Sequence, residues 1–268
     1  MLTPTRKKNG SQTSKSATPH STLLSVPPLL LSFGNSKISR LVAIFDLPAL
    51  YTCPAAKACR NYCTSFKAQI GRWKGVPQAR WRNFWSSLYD PYFVDQMVAN
   101  IQASRVKFVR FHASGDLYNK SYIQKIAKIA RRLPQVHFYL YTKSLHFDLR
   151  SLTALPNFTV IRSFGGHYDR RIKKTKQNYA RVITDPKQQR PGEFLCPEGL
   201  APLTGKARDN LCGYNCFYCL SDKKTDRTEP HQIKVCFLLR RAGWNGNKLP
   251  PPAPAPKPIG QVTGGVVK

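Results

Sequence analysis

Acidic side chains are scarce in this sequence. Thirteen Asp and Glu stand against 43 Lys and Arg, a formal charge of +30, and no acid occurs before Asp46 or after Glu229. A field of that sign draws polyanions, nucleic acid first and anionic membrane second, and says nothing about fold. Long apolar runs are missing too. The piece from Leu23 to Phe33 is too short to span a bilayer and is broken by Pro27 and Pro28, which argues against a secretory signal. No later run is long enough for a transmembrane helix. The eight cysteines, at 53, 59, 63, 196, 212, 216, 219 and 236, lack the spread of an extracellular disulfide framework, so metal binding in a reducing, cytoplasmic compartment is expected. No internal repeat is visible.

What is present bounds the architecture. With 41% hydrophobic residues, a chain of 268 residues can bury a real core. The expected organisation is a disordered basic arm over 1–28, an α/β core over 29–190, a Cys-rich metal-binding segment with a final strand over 191–240, and a flexible proline-rich tail over 241–268. Residues 1–28, rich in Ser, Thr and Lys, fit an organelle transit peptide equally well. Strands are expected over 40–45, 106–112, 136–142, 158–163, 180–184 and 233–239. A helix is expected from Asp90-Pro91 to about Gln102, and a second from its cap at Asn119 to Leu133-Pro134 with Tyr122, Ile123, Ile126, Ile129 and Ala130 buried. A short helix is expected over 149–155. Trp73, Trp81 and Trp85 stand among Arg72, Lys74, Arg80 and Arg82, a mixture that either stacks on bases or packs tryptophans under snorkelling arginines.

Strands alternating with helices through short connections predict a parallel sheet of βα units, either a partial (βα) barrel or an open sheet. Ligand groups of such sheets gather at the C-terminal strand ends. Cys53, Cys59 and Cys63, then Ser114-Gly115-Asp116, Thr142-Lys143-Ser144 and Gly165-Gly166 would then share one rim. Lys143 and Asp169 are candidates there for substrate contact or proton transfer, with solvated charge as the ordinary alternative.

Thiolates are the preferred ligands of zinc and of iron–sulfur clusters. Three cysteines within eleven residues leave one metal position open, unless His112 or His167 completes a zinc site. Cys196, Cys212, Cys216 and Cys219 supply four thiolates, enough for a closed zinc site or a cluster. Cys236, inside the last strand, is expected as a buried free thiol. The order of three cysteines after the first strand and a Gly-containing acidic segment after the second resembles radical S-adenosylmethionine enzymes. In those enzymes an open 4Fe-4S iron binds the cofactor and the acidic segment contacts its amino group. Their usual spacing is CxxxCxxC; this loop has CxxxxxCxxxC, with Tyr62 as the aromatic residue before the last cysteine.

A more specific resemblance rests on Leu31-Ser32-Phe33-Gly34-Asn35-Ser36-Lys37-Ile38, Thr52-Cys53-Pro54, Phe111-His112-Ala113-Ser114-Gly115-Asp116-Leu117-Tyr118, Tyr139-Leu140-Tyr141-Thr142-Lys143-Ser144-Leu145, Ser163-Phe164-Gly165-Gly166 and Cys212-Gly213-Tyr214-Asn215-Cys216-Phe217-Tyr218-Cys219. Over roughly 31–240 the chain resembles the phage-associated family named for gene product 88. That resemblance carries no settled activity. Thr64-Ser65 stands where members commonly have Tyr-Ala, and the basic arm and proline tail are additions.

Two functions of different class follow. One is an iron–sulfur enzyme of radical S-adenosylmethionine type, with Cys53, Cys59 and Cys63 on the catalytic cluster, Ser114, Gly115, Asp116, Gly165 and Gly166 toward the cofactor, and the later cysteines on an auxiliary cluster or zinc. The other is a non-catalytic, zinc-stabilised nucleic-acid-binding protein, favoured by the charge.

Overall fold

The computed structural model describes residues 31–35, 37–71, 75–197, 212–214, 216–220 and 232–239. The arm expected over 1–28 and the tail over 241–268 lie outside them, as do Arg72, Trp73 and Lys74.

Short β-branched and aromatic runs build one eight-stranded sheet: β1 (Ser32–Phe33), β2 (Val42–Phe45), β3 (Phe108–Phe111), β4 (His137–Thr142), β5 (Phe158–Ser163), β6 (Tyr179–Ile183), β7 (Phe194–Leu195) and β8 (Lys234–Leu238). The helices are α1 (Thr64–Ile70), α2 (Gly75–Tyr89), α3 (Phe93–Ser104), α4 (Lys120–Arg132) and α5 (Arg150–Thr153). The strand order is β1-β2-β3-β4-β5-β6-β8-β7. All pairs are parallel except β1 with β2. The expected parallel α/β sheet is therefore present, with β1 and β7 at its two open ends.

From β2 to β6 each strand lies beside the one before it. Right-handed crossovers that all advance in one direction place their helices on one face of a sheet. Accordingly Phe45, Val109, Phe111, Phe138, Leu140, Phe158 and Val160 pack with Met97 and Ile101 of α3, Ile123 and Ile126 of α4 and Leu152 of α5. The alternate residues of the same strands, among them Val42, Ile44, Tyr139 and Ile161, meet Ile38, Leu220, Cys196 and Cys219 instead. The second face is thus covered by the Cys-rich segment, with no helix against it among the described residues.

Local chemistry sets the element ends. Asn119 caps α4, its Oδ1 accepting from Tyr122 N at 2.7 Å, and the five apolar residues expected on the inner face are all buried. The second expected cap, Asp90, lies two residues ahead of the observed one. The cap position is Tyr92, while Asp90 Oδ1 accepts from Tyr92 N and Oδ2 from Gln96 Nε2. The strand expected over 106–112 is shorter because Arg105, at φ 55, closes α3 in the left-handed region. In α2, Arg80 and Trp81 are each 8% exposed. Arg80 pairs with Asp46 at 3.6 Å, and Trp81 lies between Tyr51 and Trp85. These two residues pack; they are not an open stacking surface.

Asn157 carries an unusual share of the structure, since its Nδ2 donates at 3.0 Å to the carbonyls of Ala130, Leu133 and Val136. It ties the end of α4 to the start of β5. Asn157→Ala leaves these carbonyls without that donor and is expected to cost about 1–3 kcal/mol, read from the urea unfolding midpoint.

Candidate metal centre

β2 ends at Phe45 and the chain turns through Leu47–Thr52 into the three-cysteine loop. Thr52 N and Oγ1 both donate to Pro48 O, which winds the segment back before Cys53. Asp46, at the strand end, accepts from Ser114 N at 2.8 Å, and Ser114 Oγ donates to Leu47 O. Gly115 sits at φ 86, where an added Cβ would fall 2.6 Å from both Leu47 Cβ and Thr52 Oγ1. Only glycine lets this turn lie so close to the segment leading into the cysteines.

The far side of the loop is held by the turn after β5. Gly165 O accepts from Lys57 N and Cys59 N, and Ala55 O accepts from His167 N. Asp169 fixes the turn itself, accepting from Gly165 N and Gly166 N at 2.9 Å each. The Asp169 carboxylate is thus turned to internal donors, where sequence alone offered a substrate-contact or proton-transfer role. Cys63 closes the loop as N-cap of α1, its Sγ accepting from Phe66 N.

The Cys-rich segment arrives from the other end of the chain. Cys212 N donates to Lys37 O, and Ser39 N donates to Cys212 O, so it is bonded to the residues just before β2. Gly213, at φ 82, would place a Cβ 2.4 Å from Val42 Cγ2. Tyr218 stacks on Phe194 at 4.2 Å, and Cys196 N donates to Cys236 O. Cys236 is a buried free thiol on β8.

These two assemblies meet. A cavity of about 350 Å³ is lined by Cys53, Cys59 and Cys63 and also by Cys196, Cys212, Cys216 and Cys219. Ser114, Gly115, Asp116 and Lys143 line it too, whereas Gly165 and Gly166 support the loop from outside it. Asp116 Oδ1 accepts from Leu117 N and Thr142 Oγ1, and Oδ2 from Lys143 N. The Ser114 and Asp116 side chains are thus both engaged within the fold. Lys143 Nζ rests on Ser163 Oγ at 2.5 Å.

Burial raises the proton affinity of four of these thiols. Burial, then the Asp116 charge, pushes Cys53 well above the ordinary thiol range, and burial raises Cys59 and Cys63 as well. Burial also raises Cys219, and the neighbouring Cys196, Cys212 and Cys216 add to it. Among the described residues no group of three or more His, Cys, Asp or Glu side chains is assembled to hold a single metal ion. The cysteines surround a space rather than converge on a point. Their donor chemistry suits thiolate-bound metal, and binding would displace their protons.

Two features of this site were not singled out from the sequence. Arg110, on β3, lines the cavity with its guanidinium 5.9 Å from the Tyr139 ring centre and 5.0 Å from that of Tyr141, and its Nε is buried without a partner among the described residues. Inward-pointing polar residues on a parallel strand were the available signal. The second is the spacing within the later set, whose Cys212, Cys216 and Cys219 have three and then two residues between them and Tyr218 before the last. Counting those intervals would have matched the usual spacing better than the first loop does.

His112 also lines the cavity and is 3% exposed at φ 68, its Nε2 2.8 Å from Tyr122 Oη and its Nδ1 unpartnered among the described residues. Burial, with Arg110 nearby, pushes its pKa from 6.5 down to about 3. The folded protein keeps this ring neutral where the unfolded chain binds a proton, so its contribution is present above pH 6.5 and is lost as pH falls toward about 3. His112→Asn, which tolerates the left-handed backbone, should flatten that part of the profile when unfolding midpoints are measured across the same window.

A search of curated proteins and a search of solved structures each found no match to the chain. The family described as Gene product 88 matches residues 6–241, a span that holds both cysteine sets and every strand of the sheet. With the match running from the arm through β8, the chain belongs to the gene product 88 family.

Proposed function

We propose that this protein is an iron–sulfur protein of the radical S-adenosylmethionine type. In this reading Cys53, Cys59 and Cys63 hold the open catalytic cluster, and Cys196, Cys212, Cys216 and Cys219 hold an auxiliary centre. The observation that carries it is the shared cavity, in which a set of three cysteines and a set of four wall one space with Ser114, Gly115 and Asp116. Three thiolates leave a metal position for a ligand, and four close a site.

A centre at Cys53, Cys59 and Cys63 would supply one-electron chemistry, which enzymes of this type direct at the sulfonium of S-adenosylmethionine. The chain's own residues prepare the place. The Leu47–Thr52 segment and the Gly165 turn fix the loop from two sides, which limits the reorganisation a bound group must drive. Lys143 lowers the proton affinity of Cys59 and Cys63, against the effect of burial. Arg110 offers positive charge beside Cys212, offsetting the anionic charge that thiolates bring into a buried space. Asp116 has its oxygens taken by three donors and serves to hold its turn at the cavity wall.

The second reading, a zinc-stabilised nucleic-acid-binding protein without catalysis, is favoured by the charge of +30. Metal analysis separates the two. Protein purified without oxygen should contain iron and sulfide in similar amounts and absorb broadly in the visible. Cys59→Ala should lose about half the iron, with two cysteine sets to fill, and should abolish S-adenosylmethionine cleavage. Cys216→Ala should lose iron while cleavage persists; loss of cleavage in Cys216→Ala alone would move the catalytic role to the later set. Zinc without iron after reconstitution overturns the enzyme reading.

A further inference from the structure

The charges on the loops beside the cavity fall into two groups. Asp46, Asp116 and Asp169, which follow β2, β3 and β5, are each bonded inside the fold. Asp46 is paired with Arg80 and bonded by Ser114 N. Asp116 is bonded by Leu117 N, Thr142 Oγ1 and Lys143 N. Asp169 is bonded by the two glycine amides of the β5 turn. The bases of the same two loops face the other way. Lys57, on the cysteine loop, and Arg170 and Lys173, just past the β5 turn, are exposed, and Arg60 is half-buried beside Cys59. None of the four is in an ion pair among the described residues. The backbone bonds from Lys57 N and Cys59 N to Gly165 O and from His167 N to Ala55 O hold the two loops side by side. Of the exposed arginines elsewhere, Arg132 pairs with Asp95 and Arg150 with Asp148, while Arg82, Arg105 and Arg131 have no ion pair among the described residues.

Unpaired bases spread over two fixed loops suit a ligand whose negative charges repeat along a backbone. Half-buried Tyr62, on the cysteine loop between Arg60 and Cys63, lines the cavity, and an aromatic ring there suits a planar base. A lipid surface would call instead for exposed apolar residues on these two loops, and the exposed large apolar side chains belong to other segments, Val182 of β6 being the one among them that reaches the cavity wall. We propose that the loop pair carrying Lys57, Arg60, Arg170 and Lys173 docks the phosphate backbone of a nucleic acid across the mouth of the cysteine-lined cavity. Nucleic acid is then the substrate class of the proposed enzyme. The inference rests on that reading for the substrate role but not for the binding itself.

The test uses the full chain as purified, with a labelled single-stranded and a labelled duplex oligonucleotide, and reads binding by anisotropy over a salt series. Each phosphate contact contributes about 0.7 to the salt slope for single strands and about 0.9 for duplex. Replacing Lys57, Arg60, Arg170 and Lys173 by Ala should lower the slope by about three units and weaken binding at least roughly tenfold. The pair Arg170→Ala/Lys173→Ala, which leaves the cysteine loop unaltered, should give about half that drop with iron content unchanged. Lys120→Ala, Lys128→Ala and Arg131→Ala together, on the exposed face of α4, should leave the slope nearly as it was. An equal drop in the α4 variant, an unchanged slope in the four-residue rim variant, or binding to anionic vesicles without binding to oligonucleotides would each overturn the proposal. Normal iron with no rim effect rejects the docking surface alone; a rim effect in a zinc protein rejects only the enzyme reading.

Discussion

Everything in this fold depends on the direction in which its strands are laid down. Because β2 to β6 advance one place at a time, right-handed crossovers put α3, α4 and α5 on the same face. The opposite face carries Val42, Ile44, Tyr139 and Ile161 and still has to be removed from water. A doubly wound sheet would cover it with helices of its own. Here the Cys-rich segment does so, and its thiols come to lie against the sheet because the cover must. The burial of that face and the placement of the later cysteines are one requirement.

Satisfaction of polar groups then shapes the rim. Asp46, Asp116 and Asp169 look alike in sequence, as single acids near strand ends. In the fold each closes a turn by accepting from backbone amides. A chain with so few acids uses three of them to hold the walls of one cavity, and the surrounding surface is left basic. The basic character of that surface is therefore partly an outcome of where the acids are placed inside the structure.

Much of the sheet was readable before any coordinates, because period and composition act locally. The α4 stripe from Tyr122 to Ala130 and the apolar runs of β4 and β5 lie where their spacing predicts. The Asn119 cap follows the same rule. What local pattern does not encode is which distant segments share a space. The contact of Cys212 with Lys37 and Ser39, and the single cavity shared by the two cysteine sets, join residues more than a hundred positions apart. The Trp and Arg mixture was ambiguous for a related reason: Arg80 is buried because Asp46 waits for it across the fold. Arg110 went unnoticed since one polar residue in a strand has no distinctive pattern until its neighbours Tyr139 and Tyr141 are known.

The bond between Cys212 and the residues before β2 has a temporal consequence. A chain made from its N-terminus exposes the loop of Cys53, Cys59 and Cys63 long before its cover exists. Val42 and Ile44 can lose their contact with water only after residue 220 has left the ribosome and found Ile38. Contacts of such separation close slowly compared with a helix such as α4. Until they close, the early thiols stand beside an uncovered sheet face, more open to solvent and to oxidants than in the finished protein. Completion of the fold ends that interval.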